Sequence, residues 1–255
     1  MHGPLGLRPP EVGVIERYQR AIGWTACAAG VASLASACAG PQSALDPAGP
    51  AAGAIAGSWW LMAAGALAAW AMVLVLAALA MRRRRRLAAT SGRRLIIAGG
   101  VALPTSLLSA LLVYGTLASD RITGESAQVG HVVQVTARQW QWEFEYLDAD
   151  GATLAASIDQ LAMPLGEMVE FRVDSSDVIH SFWVPRLGGK IDAIPGRTNV
   201  LRLRADQAGP MRGQCAEFCG LEHALMAFEV TVLGPEQYAG WLRENAVGDT
   251  AGGRE

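Results

Sequence analysis

The chain has 255 residues and a formal net charge of −2 at pH 7. That length suits a membrane anchor plus one globular domain of about 130 residues, and a charge so near zero does not suggest a general affinity for nucleic acid. Four cysteines, paired as Cys27 with Cys38 and Cys215 with Cys219, are too few to imply a secreted disulfide framework.

From the N-terminus, an apolar stretch over residues 21–40 follows Arg17 and Arg20 and runs through LASAC to Cys38. Residues 1–38 read as a signal peptide. Leucine followed by small residues and a cysteine resembles a bacterial lipoprotein cleavage site, with cleavage before a lipidated Cys38. The competing reading is an uncleaved third span. Residues 39–57 are rich in Pro, Gly and Ala and read as an exposed linker.

Two apolar, uncharged segments follow, at 58–81 and 95–118. Each is long enough to cross roughly 30 Å of hydrocarbon as a helix, and neither has the polar face of a globular helix. Pro104 is expected to kink the second, which membrane helices tolerate. The loop at 82–94 carries Arg82, Arg83, Arg84, Arg85, Arg86, Arg93 and Arg94. Set between two spans, these charges follow the positive-inside rule and place the loop in the cytoplasm. The hairpin 58–118 then leaves everything beyond Asp120 on the periplasmic side.

The soluble part covers residues 120–235, with a C-terminal helix and tail over 236–255. VVQVTARQWQWEFEY has strand character, with Trp140, Trp142, Phe144 and Tyr146 alternating with polar residues. EMVEFRVDS, NVLRLRAD and AFEVTVLG read as further strands, separated by Gly and Pro turns. Short strands at this spacing predict a β-sandwich or Greek-key barrel, so the fold class is membrane-anchored all-β.

GQCAEFCGLEHALMAF places Cys215, Cys219, His223 and Met226 within twelve residues. As a helix these would form one stripe, with Met as filler. Cys215 and Cys219 could form a disulfide, or Cys and His could bind zinc. Thiolate, imidazole and thioether together suit copper. A mononuclear site of two His, one Cys and an axial Met has one thiolate fewer than this segment offers, and an added thiolate is what a sulfur-bridged copper pair needs. A second histidine is required. His180, in DVIHSFWVP, is a better candidate than His2 or His131.

VIHSFWVPRLGGKIDAIPGRTN, then GQCAEFCGLEHALM, resembles subunit II of the haem-copper cytochrome c oxidases in its CuA-bearing form, and ARQWQWEFEY resembles that family's aromatic strand. The resemblance spans residues 54–234. It implies two transmembrane helices and a cupredoxin-like Greek-key barrel with a dinuclear copper centre. His180 and His223 would each ligate one copper, Cys215 and Cys219 would bridge both, Met226 would be a weak ligand, and Glu217 would give its backbone carbonyl. The Glu217 carboxylate would reach a magnesium ion shared with subunit I. Trp140 would receive electrons from cytochrome c, with Asp192 among the acids that dock it. Partners would be subunit I, subunit III and the lipid bilayer, in a bacterial inner membrane.

Two features depart from the family. The region 94–100 lacks the glutamate that many members carry where the second span begins, and no C-x-x-C-H of a fused cytochrome c is present. The alternatives are a quinol oxidase subunit II, whose branch lacks the copper ligands, and a periplasmic copper-delivery protein.

Overall fold

In the computed structural model, residues 39–83 and 89–247 are described. The first helix, α1 (Pro50–Arg83), starts eight residues ahead of the expected span at Ser58. The reason is local. Pro50 opens the helix, where a missing N–H costs nothing, and the Ala-rich turns after it pack on the soluble domain. Ala48, Ala51 and Ala52 are buried there. The Ala48 amide donates to the Arg186 carbonyl at 2.7 Å, and the Ala52 amide donates to that of Leu187 at 3.1 Å. The segment expected to be an exposed linker is thus, over its second half, a docked helical entrance to the membrane anchor.

The second span comprises α2 (Ala89–Ile97), a π-helical turn (Ala98–Ala102) and α3 (Leu103–Thr123). Pro104, expected to kink this span, is the second residue of α3, just past the π-helical turn. Its ring cannot donate to the carbonyl four residues back, and the wider turn takes up that break. Both spans expose leucine, valine and alanine all round. Such helices need a hydrocarbon solvent, so the protein is membrane-anchored. The expected signal peptide with Cys38, Arg84, Arg85 and Arg86 of the basic loop, and the tail after Val247 lie outside the described residues.

The soluble domain has ten strands: β1 (His131–Arg138), β2 (Gln141–Leu147), β3 (Thr153–Ile158), β4 (Gln160–Pro164), β5 (Met168–Ser175), β6 (His180–Trp183), β7 (Ile191–Ala193), β8 (Asn199–Arg204), β9 (Gly209–Cys215) and β10 (Ala227–Leu233). They form two five-stranded sheets, ordered β3-β2-β1-β5-β8 and β4-β10-β9-β6-β7. β1/β5 and β4/β10 pair in parallel, and every other pair is antiparallel. Such non-sequential pairing is the Greek-key wiring of a cupredoxin-like fold, as expected. The inner faces bury Trp142, Phe144, Phe171, Phe182 and Phe228. The Phe182 and Phe228 rings stack with centroids 5.2 Å apart. A short helix, α4 (Pro235–Glu244), lays Tyr238 and Trp241 against Tyr146.

One reading of the strands needs correction. The run expected as a single strand over 132–146 is a hairpin, with Gln139 and Trp140 in its turn. Trp142, Phe144 and Tyr146 lie on β2 and point into the core as the alternation requires. Trp140 lies at the end of the sheet instead, beside the loop between β9 and β10.

Candidate metal centre

β9 ends at Cys215, and β10 begins at Ala227. The ladder between them fixes both ends of the connecting loop, and the Cys215 amide donates to the Met226 carbonyl at 2.8 Å. The loop is a series of turns rather than a helix, with Gly220 at a φ of +131°. A helical stripe is therefore not what groups these side chains. β6 pairs with β9 through Phe182 and Cys215, which brings His180, the first residue of β6, over the loop.

The side chains converge. The Cys215 and Cys219 sulfurs are 3.8 Å apart and unbonded, each cysteine being free and buried. His180 Nδ1 lies 3.9 Å from the Cys215 sulfur. His223 Nδ1 lies 3.6 Å from the Cys219 sulfur, and Met226 Sδ lies 3.7 Å from the same sulfur. The Glu217 carbonyl oxygen is 3.2 Å from the Cys215 sulfur. The ligand atoms of His180, Cys215 and Cys219 all lie within 4.8 Å of one another. His180, both cysteines and Met226 are buried, while His223 is half-exposed.

Burial, reinforced by the neighbouring Cys215 sulfur, pushes the Cys219 thiol up to about 12. Without a metal that thiol stays protonated at neutral pH. A cation would reverse that, because a coordinated thiol is deprotonated. Two thiols, two imidazole nitrogens, a thioether and a carbonyl form a donor set of soft and borderline character, which fits copper. The thioether has no use in a structural zinc site of Cys and His.

Around these donors lie residues that were not singled out from the sequence. The Asp177 carboxylate accepts from His180 Nε2 at 2.8 Å and from the Gln139 amide at 2.7 Å. Desolvation opposes its charge, but the bonds from Gln139, His180 and the Val178 amide outweigh that and hold its pKa below the ordinary value. A carboxylate on Nε2 leaves Nδ1 free to face the sulfurs, as ligating histidines require. The three-residue spacing of Asp177 and His180 in SSDVIH was the available signal. Gln139 also donates from Nε2 to the Cys219 carbonyl at 2.6 Å.

Glu217 and Asp192 lie together on another side of the loop. Lys190 Nζ is 2.8 Å from Asp192 Oδ1 and 3.7 Å from Glu217 Oε2. The Asp192 charge, expected to face a docking partner, is matched by this lysine. Hydrogen bonding to Lys190 and Ser181 holds its carboxyl below the usual range.

Residues 149–233 match the family described as cytochrome c oxidase subunit II, periplasmic domain. The soluble domain belongs to this family. Among relatives named cytochrome c oxidase subunit 2, that of Alkalihalophilus pseudofirmus is 44% identical over 110 residues, covering 43% of this chain and 31% of its own. That of Bacillus subtilis is 39% identical over 127 residues, covering 48% and 35%. The chain thus spans about a third of the length of these subunit II relatives. The crystallised periplasmic domain of subunit II of cytochrome oxidase from Bradyrhizobium japonicum is 28% identical, with a TM-score of 0.43, covering 46% of this chain and 94% of that one.

Proposed function

We propose that this chain is the electron-accepting subunit II of a haem-copper cytochrome c oxidase. One observation carries the reading: two unbonded thiols 3.8 Å apart, with one imidazole Nδ1 beside each. His180 and His223 would each hold one copper, Cys215 and Cys219 would bridge the two, and Met226 and the Glu217 carbonyl would complete the set. A copper pair held in this way supplies a one-electron acceptor whose charge is spread over both metals and both sulfurs.

The chain's own residues keep that site rigid and dry. The β9–β10 ladder fixes the loop ends, Asp177 orients His180, and the aromatic core backs the buried donors. Rigidity limits rearrangement when the charge changes, which speeds transfer. Trp140 borders the loop and would receive electrons from cytochrome c. Phe218, Leu221 and Leu225 are exposed on the same loop and give the donor an apolar surface. Glu217, exposed and beside Lys190, would reach a magnesium ion shared with subunit I. The basic loop orients the hairpin with the domain in the periplasm of a bacterial inner membrane, beside subunits I and III.

The test is metal analysis of the full chain, purified in detergent and loaded with copper. We expect two coppers per chain and an electron paramagnetic resonance spectrum of one unpaired electron shared by two copper nuclei. A single-copper spectrum, or zinc in its place, would overturn the dinuclear reading. In the assembled oxidase, Trp140→Phe should slow oxidation of reduced cytochrome c without loss of copper. Unchanged turnover would remove Trp140 from the route.

A further inference from the structure

Gln139 ties the turn that carries Trp140 to the metal loop by a hydrogen bond. Gln139 lies 80 positions before Cys219 in sequence, yet its side-chain amide donates to the Cys219 carbonyl at 2.6 Å. Its backbone amide donates to Asp177, which in turn holds His180. One residue thus bonds both the loop that bears the cysteines and the carboxylate that orients the upstream histidine.

The indole beside it has no such anchor of its own. Trp140 Nε1 is buried and has no hydrogen-bond partner among the described residues. The ring lies against Gly220, next to Cys219. A Cβ on that glycine would stand 3.2 Å from Trp140 Cζ2 and Nε1, and 3.0 Å from Gln139 Nε2. Gly220 also has a φ of +131°, which side-chain-bearing residues rarely adopt. The loop therefore keeps its backbone bare where the indole and the Gln139 amide arrive. Packing alone would let the ring slide, and the Gln139 bonds fix where it rests.

We propose that Gln139 is a positioning residue that clasps the Trp140 turn to the metal loop and holds the indole against Gly220. The proposal rests on the electron-accepting reading for its purpose, but its structural content can be tested without metal. Where Trp140 serves as the route, one electron leaves the donor haem and one arrives at the site, with no bond made or broken. The distance set by the clasp then governs the rate.

Two measurements test it, with variants that keep the Gln139 backbone bond. In Gln139→Leu the side chain cannot donate. Gln139→Glu keeps the shape but offers a carboxylate oxygen to a carbonyl. In the copper-free full chain, hydrogen exchange of the Trp140 indole N–H, assigned by its loss in Trp140→Phe, should speed up by about tenfold or more in both variants. In the assembled oxidase both should lower kcat by about tenfold, since a small misplacement of a reacting group is costly. The KM for cytochrome c, the copper content and the copper spectrum should stay unchanged. Unaltered indole exchange would overturn the clasp, and so would loss of copper, which would make Gln139 a support for the ligands instead. Slowed turnover in Trp140→Phe with normal turnover in Gln139→Leu would also overturn it, leaving the electron route intact. Normal turnover in Trp140→Phe with faster exchange in Gln139→Leu would do the reverse.

Discussion

His180 Nε2 and Asp177 Oδ1 lie 2.8 Å apart, and this one bond decides which imidazole nitrogen faces the sulfurs. With Nε2–H donating to the carboxylate, Nδ1 is the free donor atom, 3.9 Å from the Cys215 sulfur. Supporting partners of ligating histidines are commonly worth 10- to 100-fold in metal affinity. We expect Asp177→Ala to weaken copper binding by about that factor. Asp177→Asn, which keeps an oxygen acceptor, should lie between it and the native chain. Competition with a copper chelator reads this directly, and equal affinity in all three proteins would remove Asp177 from the support of the site.

The Cys219 thiol, raised to about 12 by burial and by Cys215, makes copper loading a proton-releasing reaction. The ligand is the thiolate, so Cys219 must give up its proton as metal binds. The sign follows: apparent affinity rises as pH rises and weakens in acid. Titration calorimetry in two buffers of different ionisation enthalpy should report about one proton released from Cys219. A heat independent of the buffer would show that the Cys219 thiol is already ionised in the metal-free chain.

The candidate donors of the loop were legible in the sequence because soft donors are rare and here are crowded into one short segment, and the spans were legible from length and lack of charge. The hairpin turn at Gln139 and Trp140 was not. It has none of the Gly, Pro, Asn or Asp that usually marks a turn, and the apolar alternation begins inside it, at Trp140. Its supports are Asp177 and the Cys219 carbonyl, 38 and 80 residues away, and local sequence carries no trace of them. The early start of α1 was hidden in the same way. A Pro-, Gly- and Ala-rich run reads as a linker until Arg186 and Leu187 supply carbonyls for it to dock on. The ion pair of Asp192 with the lone lysine, two residues before it, was equally hidden.

Gly213 stands opposite Phe228 in the β9–β10 ladder, and the Phe228 ring covers it so closely that a Cβ there would collide with the ring. That ring also stacks on Phe182, so it cannot swing away without disturbing the layer beneath the metal loop. Overpacking of this kind costs about 1–3 kcal/mol. Gly213→Ala should lower the thermal midpoint of the copper-free chain and weaken copper binding with it. A variant as stable as the native chain would show that the ring has room to move.

Glu170 ties the barrel to the end of the second span. It lies on β5 and is nearly buried. It accepts from Arg202 Nε and Nη2 at 3.1 and 3.0 Å and from Arg172 Nε at 3.1 Å. Arg202 also donates to the Glu125 carbonyl just beyond α3. Desolvation raises the carboxyl, but the bonds and charges of Arg202 and Arg172 outweigh it, and the pKa falls below the ordinary value. A depressed folded pKa stabilises the fold above the unfolded value of about 4.3, and that contribution is lost as pH falls through the folded value. Hydrogen bonds to charged groups are worth about 1.5–3 kcal/mol, so Glu170→Gln should destabilise the soluble domain by about that much at neutral pH. The difference from the native chain should shrink steadily as unfolding is measured at lower pH, down through the carboxylate range. A gap of constant size across that range would mean that Glu170 acts through its shape and not through its charge.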